Sequence, residues 1–537
     1  MAVATGTLAL AQHASWSRSA ADQAAFTAGG DVRVDLAAPL PVGADTKFSE
    51  VPGVTTAMAA AATVQSLPAD VLAIDSPKAL PVVRLRPDEA ALPASALFTA
   101  IAPPAGTGGA AIPGRPRAID LTATLSRAPL GTVTAVFTVT DADGAAFQLP
   151  VPSPLPADGR PHVLAVPVDG AHIAYPLRLT QVALNYTLPA KKLHAPVKLT
   201  IDGATTSNWT AAASSGELDS QANSSPVSAS FADPDTAGWQ SAPGGATLTF
   251  EPGFGVVYNG RPPNLVPVPV QGQLTLSAAP APAVVPAIVN RAFVNANKTG
   301  PGASVQATVN DVSVPVDVVA VAETFPATTD SEMIVDLRTL QAFLVSNGAT
   351  PLPVTQWWLA TDGARVPPSL AKALPPGAAL TSRTALSAAT LADPLSAAPQ
   401  QALLAMALAA AVLAVTGFWV SIAADVRQRR AESALLAALG VTQRSAAARL
   451  FLEKLLLSIP AAVLGLVLGI VVARLLVPAV TLTMTAQTPV PPPDTLFDLS
   501  QTLPLAAAVA VLPALAAALV VFRRPDPASE LRAAEAV

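Results

Sequence analysis

The architecture of this chain is decided by the stretch ALLAMALAAAVLAVTGFWVSIAA, residues 402–424. It contains no charged side chain, and it meets the requirement of about 20 apolar residues for a helix that crosses a bilayer. Two further apolar runs follow at 455–478 and 503–522. Because buried core helices are usually shorter and apolar on one side only, we predict an α-helical membrane domain with three complete spans at 402–522.

The overall composition agrees with a membrane protein. The 537 residues are 51% hydrophobic and 12% charged, whereas ordinary globular chains are about 25% charged. The 31 basic and 36 acidic side chains give a net charge of −5, which offers no basic surface for nucleic acid. The chain contains no cysteine, so a disulfide framework, a thiolate metal site and a cysteine nucleophile are all excluded.

The loops between the runs predict the orientation, because basic residues near helix ends stay in the cytoplasm. The loop 425–454 contains six basic and three acidic side chains, the loop 479–501 contains no Lys or Arg, and the tail 523–537 contains three arginines. We therefore predict a multi-pass protein of the bacterial cytoplasmic membrane with everything before residue 402 outside. Arg474 lies about one turn from the outer end of the second run, where a snorkelling side chain is expected.

The N-terminal residues 1–11 form an apolar stretch that is too short to span a bilayer. No basic segment precedes it, which argues against a signal peptide. We interpret residues 1–15 as the truncated end of a fourth transmembrane helix, an N-terminal one.

The large region between residue 30 and residue 395 is predicted to be extracytoplasmic and of the α+β class. Its first part, 30–105, mixes alternating strands at 32–36 and 82–85 with an Ala-rich segment, Met58–Val64, for which we expect a short helix. Its last part, 284–395, mixes strands with a predicted helix at 337–345. These two parts together would form a core domain.

Between these parts, residues 115–250 have a purely β pattern. Short alternating strands are separated by turn pairs such as Asp143-Gly144. We predict a β-sandwich or jelly-roll-like insertion. The segment from Asp141 to Gly144 begins like a calcium loop but lacks the later acidic positions, so a hairpin turn is expected.

Signatures of catalysis and cofactor binding are missing from the sequence. There is no GxxxxGK[ST] phosphate loop, no HExxH zinc motif and no GxSxG nucleophile elbow. We therefore predict no enzyme activity, no metal site and no cofactor in this chain.

The loop after the first span contains the one distinctive pattern, RQRRAESALLAALGVT at 427–442. It predicts a short amphipathic helix that stops at Gly440, with Thr442 as the N-cap of the next helix. Binding to lipid head groups is one interpretation of such a basic helix. The pattern R-x-x-E-x-x-x-L-x-x-L-G, followed by Arg449, Glu453 and a long span, resembles the FtsX-like, MacB-type permease family of ABC transporters. The chain is similar to the C-terminal half of a large actinobacterial-type member.

The resemblance implies that the cytoplasmic loop 425–454 packs against a separate ABC-type ATPase subunit, which would bind the ATP. The contacts would lie on a coupling helix, with polar and apolar members: Arg430, Glu432, Leu435, Leu436, Leu439 and Gly440. Membrane lipid and a second permease copy, in a dimer, are further expected partners.

The expected function is that of a permease subunit that couples ATP hydrolysis to movements of the extracytoplasmic domain. Its work would be the export or extraction of a lipophilic or envelope substrate. Two alternatives remain at this stage: a mechanotransmission module that activates a cell-wall hydrolase, and a membrane-anchored polysaccharide-binding protein. Of these three functions, only that of the membrane-anchored binding protein would not require a coupling helix.

Overall fold

The computed structural model describes residues 1–63, 69–104, 107, 109–112, 115–116, 118–128, 130–168, 172–187, 197–207, 227–229, 246–250, 256–259, 266–269, 271–277, 282–326, 331–347, 349–428, 443–480 and 489–522. The α-helices are α1 (Ala2–Ala28), α2 (Ser76–Val82), α3 (Ala94–Ala100), α4 (Arg291–Asn297), α5 (Leu337–Ser346), α6 (Leu370–Ala373), α7 (Arg383–Ala392), α8 (Pro394–Gln428), α9 (Gln443–Val480) and α10 (Leu499–Phe522). Two short 3-10 helices lie at Asp45–Lys47 and Asp362–Ala364.

The strands are β1 (Val32–Asp35), β2 (Val54–Thr63), β3 (Asp70–Ile74), β4 (Ala110–Ile112), β5 (Ala118–Leu125), β6 (Val133–Thr140), β7 (Ala146–Pro150), β8 (Pro161–Pro167), β9 (Leu177–Thr187), β10 (Val197–Ser207), β11 (Val227–Ala229), β12 (Ala246–Phe250), β13 (Val256–Asn259), β14 (Val266–Pro269), β15 (Gln271–Ser277), β16 (Val285–Asn290), β17 (Ser304–Val309), β18 (Val312–Ala322), β19 (Glu332–Asp336), β20 (Gln356–Thr361) and β21 (Ala379–Ser382). The chain divides into two compact units, Met1–Ala24 with Thr384–Val537, and Ala25–Arg383.

The described secondary structure of the first unit is helical, and the described residues 489–498 before α10 form a non-helical connection. Three of its helices contain segments that are long and apolar enough to cross a membrane: Ala397–Ala424, Phe451–Val477 and Leu499–Ala516. Three candidate apolar spans are therefore present in the C-terminal region, as predicted. Helix α1 has 27 residues and ends at Ala28. It therefore continues beyond residues 1–15, the segment that we interpreted as the truncated end of a transmembrane helix.

Small residues bring α1 and α9 close together in this unit. The sequence GLVLG at 465–469 places two glycines one helical turn apart, a pattern that lets helices approach closely in a membrane. A Cβ atom at Gly469 would lie 2.7 Å from Cβ of Thr7, and one at Gly465 would lie 3.0 Å from Cβ of Val3. The Ser458 hydroxyl donates a hydrogen bond of 2.7 Å to the carbonyl of Ala510, which ties α9 to α10.

The second unit is built on a nine-stranded sheet of order β17-β18-β16-β19-β3-β2-β20-β1-β21. The pairs β16–β18 and β19–β3 are parallel, and the remaining pairs are antiparallel. Because strand side chains alternate between faces, Trp357 of β20 packs into one buried cluster with α5. Its neighbour Trp358 packs into the opposite cluster with α2 and α3.

Two local predictions for this sheet are wrong. The Ala-rich segment predicted as a helix forms most of β2, where all side chains from Ala57 to Ala61 are buried. The helix propensity of these alanines is outweighed by strand pairing with β3 on one side and with β20 on the other. Residues 82–85 do not form a strand. Val82 is instead the last residue of helix α2, whose start is favoured by Pro77. The strand predicted at 32–36 and the helix at 337–345 are confirmed as β1 and α5.

The strands from β4 to β15, which end at Ser277, do not belong to the nine-stranded sheet and form separate sheets. One sheet has the order β11-β10-β5-β8, with β12 on β10, and another has the order β15-β9-β6-β7, with β4 on β9. Side chains of both sheets, such as Leu121 and Phe137, share one buried cluster, so the two sheets face each other as a sandwich. The strands β13 and β14 form a separate pair.

The predicted turn at Asp141 to Gly144 is confirmed. The Asp141 carboxylate accepts hydrogen bonds from the backbone N–H of Asp143 at 2.9 Å and of Ala145 at 2.8 Å. Gly144 has a φ of 84°, the left-handed conformation that favours glycine. The Asp141 side chain therefore closes the hairpin turn.

Candidate functional site

The predicted coupling helix lies outside the described residues, so the placement of its six members stays a prediction: Arg430, Glu432, Leu435, Leu436, Leu439 and Gly440. Its flanks are described. Helix α8 ends at Gln428 and α9 begins at Gln443. The segment 429–442 therefore joins the first two candidate spans, where the sequence places the loop.

Arg474 of α9 is exposed in the structure. Its guanidinium lies 5.9 Å from the centre of the Phe497 ring, a cation–π contact. This geometry agrees with the predicted side chain at a membrane interface rather than with a buried functional charge.

An apolar cleft of about 570 Å³ lies between α1, α8 and α10. Its walls contain many small residues, among them Gly6, Ala407 and Ala411, together with Leu404 and Leu505. Three polar side chains also border the cleft: His13, Gln400 and Gln401. The cleft is thus suited to an elongated apolar group with a polar end.

A second feature lies in the unit Ala25–Arg383, which we call the sheet unit. There a buried aspartate links the chain segment that enters this unit to the segment that leaves it. Asp31 lies three residues after the end of α1, and its side chain is 1% exposed. It accepts hydrogen bonds from the guanidinium of Arg383 at 2.9 Å, from that of Arg84 at 3.2 Å and from the backbone N–H of Thr361 at 3.1 Å. We call Asp31, Arg84 and Arg383 the Asp31 clamp.

The clamp lies where the chain enters and leaves the sheet. Helix α1 ends at Ala28, three residues before Asp31, and α7 begins at Arg383 itself. The strands β1 and β21 that connect to these helices are paired, with Val32 opposite Ser382. The clamp therefore fixes the two ends of the sheet unit to each other.

Gly29 sets the direction in which the chain leaves α1. Its φ is 76°, and its N–H donates a 2.8 Å bond to the carbonyl of Ala25, as is common for glycine after a helix end. A Cβ atom at this position would lie 2.5 Å from the buried ring of Trp358. No other residue type fits this conformation and this space.

We expect the Gly29→Ala substitution to lower the free energy of unfolding by about 1–3 kcal/mol, because it combines a left-handed alanine with a clash against a rigid ring. Thermal unfolding of the purified full-length chain, followed by tryptophan fluorescence, measures the change. Gly363→Ala is the matched control, because Gly363 has a φ of 65° but no atom within 4 Å of an added Cβ. Equal losses in the two variants would contradict the role of the Trp358 contact.

Buried charges also meet where the turn 141–145 reaches the nine-stranded sheet. Lys78 of α2 binds the carboxylate of Asp143, and its Nζ atom lies 3.6 Å from Oδ2 of Asp75. Both aspartates are 4% exposed. Nearby, the buried Asp336 accepts bonds from the Ser76 hydroxyl at 2.7 Å and from the backbone N–H of Thr339 at 2.9 Å.

Burial changes the acidity of these groups. It raises the pKa of Asp75 to about 7, although the positive charge of Lys78 acts in the opposite direction. Burial also raises the pKa of Asp336, against the effect of its hydrogen bonds from Ser76 and Thr339. The pKa of Glu332, at the start of β19, lies well above its ordinary value for the same reason.

Sequence reasoning did not find the clamp or the buried charges. The members of each group are far apart in the chain, and no spacing rule connects them. One missed feature had a visible signal, because the GxxxG pattern at 465–469 is a known mark of close helix packing in membranes.

The comparison with known families bears on the helical unit. Residues 404–525 match the family model described as FtsX-like permease C-terminal. The match includes most of α8 and all of α9 and α10, and it leaves residues 1–403 outside. No curated protein matches the chain.

Proposed function

From the premise that this chain belongs to the FtsX-like ABC permease family, we propose that it is the membrane subunit of an FtsX/MacB-type ABC transporter. Members of this family generally work with an ABC ATPase and are not themselves enzymes. The proposed role is to convert ATP hydrolysis by a separate ATPase subunit into movement of the β-rich sheet unit. The single observation that supports it most strongly is the family match over the three apolar helices.

The distribution of basic residues supports the orientation in this proposal. Residues 425–454, at the junction of α8 and α9, contain six of the ten basic residues that follow residue 402, whereas the segment between α9 and α10 contains none. We therefore place the first segment in the cytoplasm of a bacterium, and the sheet unit outside the cytoplasmic membrane.

ATPase contact is assigned to the cytoplasmic segment 429–442. An amphipathic helix there would insert its leucines into a groove of the ATPase, with Glu432 and Arg430 at the polar rim. ATP would be bound by the ATPase subunit only, and this chain would supply no cofactor site.

The Asp31 clamp supports a mechanical use of the coupling. A movement of the helices that precede β1 and follow β21 reaches the sheet through two chain segments, and the clamp fixes those segments to each other. Separation of these segments would remove the hydrogen-bond partners of the buried Asp31 carboxylate, which costs free energy. The sheet unit would therefore respond to the helices as one body at this end.

The cleft between α1, α8 and α10 supports a lipophilic substrate. Its mainly apolar walls would bury a hydrocarbon chain, and the polar side chains of His13, Gln400 and Gln401 would contact a head group. Export or extraction of a lipophilic or envelope molecule is thus the proposed task. A second copy of this chain would complete the permease as a dimer.

Two substitutions in the cytoplasmic segment test the coupling. We expect Glu432→Lys and Leu439→Asp to weaken binding of the ATPase by about tenfold or more, because each removes a central contact of a small interface. Stimulation of ATP hydrolysis in proteoliposomes should fall accordingly, while membrane insertion remains intact. The ATPase subunit that co-purifies with the full-length chain is the partner used.

Gln428→Lys is the control for this test, because Gln428 is an exposed residue at the end of α8 and is not among the predicted contacts. It should leave stimulation unchanged. If no ATPase co-purifies, or if both loop variants stimulate it normally, the coupling assignment is wrong and a membrane-anchored binding protein becomes the better interpretation.

A further inference from the structure

The turn 141–145 of the inserted sandwich is docked on the nine-stranded sheet. Ala145 is 4% exposed and belongs to the buried cluster of that sheet, together with Leu337, rather than to the cluster of the sandwich. The Arg338 guanidinium donates a 2.6 Å hydrogen bond to the carbonyl of Ala142. A Cβ atom at Gly144 would already lie 3.5 Å from the backbone nitrogen of Arg338.

Charged groups at this docked turn come from four elements. Lys78 is supplied by α2, Asp143 by the turn itself, and Arg338 with Asp336 by α5 and the end of β19. Asp75 lies among them at the start of α2. Its carboxylate is near Lys78 but at 3.6 Å, beyond normal hydrogen-bonding distance.

We propose that Asp75, Lys78, Asp143 and Arg338 form a proton-controlled latch that holds the inserted sandwich against the nine-stranded sheet. The proposal concerns an internal movement of the sheet unit and does not depend on ATP coupling or on a transported substrate. We call these four residues the seam latch.

The sign of the pH effect follows from the environment of Asp75. In the docked state burial raises its pKa to about 7; the negative charges of Asp143 and Asp336 add to this, and the positive charges of Lys78 and Arg338 oppose it. If the turn left the sheet, water would reach Asp75 and the negative charge of Asp143 would move away. The pKa of Asp75 would then return toward its ordinary value of about 4. The docked state therefore binds the proton more tightly. Docking is strongest in acid and weakens as the pH rises through about 7.

A single cysteine can report the opening, because the natural chain contains none. We would introduce Ala145→Cys into the full-length chain in detergent and measure its alkylation by iodoacetamide between pH 5 and pH 8. The matched control is Ala165→Cys on β8, which is exposed in the docked state. The ratio of the two rates removes the pH dependence of thiolate chemistry itself.

We expect this ratio to rise by about tenfold or more between pH 5 and pH 7 and to level off between pH 7 and pH 8. In an Asp75→Asn background, which mimics the protonated carboxyl, the ratio should stay low at every pH. In an Asp143→Ala background, which removes the partner of Lys78, the ratio should be high at every pH.

Two results would overturn the latch: a ratio that does not change with pH in the otherwise natural chain, or an equal rise in the Asp75→Asn background. If Ala145→Cys does not fold, hydrogen exchange of the Asp143 and Ala145 backbone amides in the natural chain gives the same answer. Their protection, corrected for intrinsic exchange rates, should decrease from pH 5 to pH 7 and should not decrease in Asp75→Asn.

Discussion

Replacement of Asp31 by alanine is expected to lower the free energy of unfolding by about 3 kcal/mol, because it removes a buried carboxylate that two partly exposed arginines and a buried backbone N–H share as an acceptor. The carboxylate is almost fully buried and accepts bonds from Arg84, Arg383 and the N–H of Thr361. Loss of all three acceptor contacts places this substitution among the strongest in the sheet unit. Urea denaturation of the full-length chain in detergent, followed by tryptophan fluorescence, measures it.

The matched control for this prediction is Asp35→Ala, at the end of β1, the strand that Asp31 precedes. Asp35 pairs with Arg33 at 3.1 Å, but its side chain is 32% exposed. Water reaches the Asp35 carboxylate, and ion pairs that water reaches contribute about 1 kcal/mol or less, so this control should lose less stability than Asp31→Ala. Similar losses for Asp31→Ala and Asp35→Ala would refute the clamp.

Membrane spans could be predicted from the sequence because insertion depends on a local property, the length of an uncharged apolar run. The run at 402–424 falls within the first candidate span, and the family match starts at Leu404 inside it. The pattern at 427–442, whose location and ATPase contact stay predictions, likewise needed only neighbouring residues. Both inferences used information within a few tens of residues.

Failures in the sheet unit arose where tertiary pairing decides the structure. The alanines of β2 favour a helix in isolation, but strands from distant parts of the chain, β3 and β20, enclose them on both sides. No local pattern contains that information. Alternation of large apolar residues, as in β1 and β5, remains the reliable signal for strands.

The clamp and the seam latch were beyond sequence reasoning for the same reason. Asp31 is separated from Arg84 by 53 positions and from Arg383 by 352. For Asp143 the local structure, a hairpin turn, was predicted, whereas its contact with Lys78 depends on the docking of one domain on another. Local chemistry therefore predicts the turn, and only the fold shows what the turn binds.

Gly469→Leu is expected to destabilise the helical unit by about 3 kcal/mol or more, because it inserts a large side chain where two helix backbones touch. An added Cβ would lie 2.7 Å from Cβ of Thr7 and 2.9 Å from the carbonyl oxygen of Ala4. The carbonyl belongs to the backbone of α1 and cannot move aside alone. The helices α1 and α9 must therefore separate, and the apparent melting temperature of the full-length chain in detergent should fall.

Gly417→Leu on α8 is the matched control for this substitution. No atom lies within 4 Å of a Cβ atom at Gly417, so the added leucine meets open space and its cost is limited to helix and lipid contacts. We expect its melting temperature to stay close to that of the natural chain. Equal melting temperatures for the two variants would mean that α1 and α9 do not pack through the GxxxG pattern. A selective loss in Gly469→Leu would show that α1, which lies outside the matched family region, is part of the same helical unit.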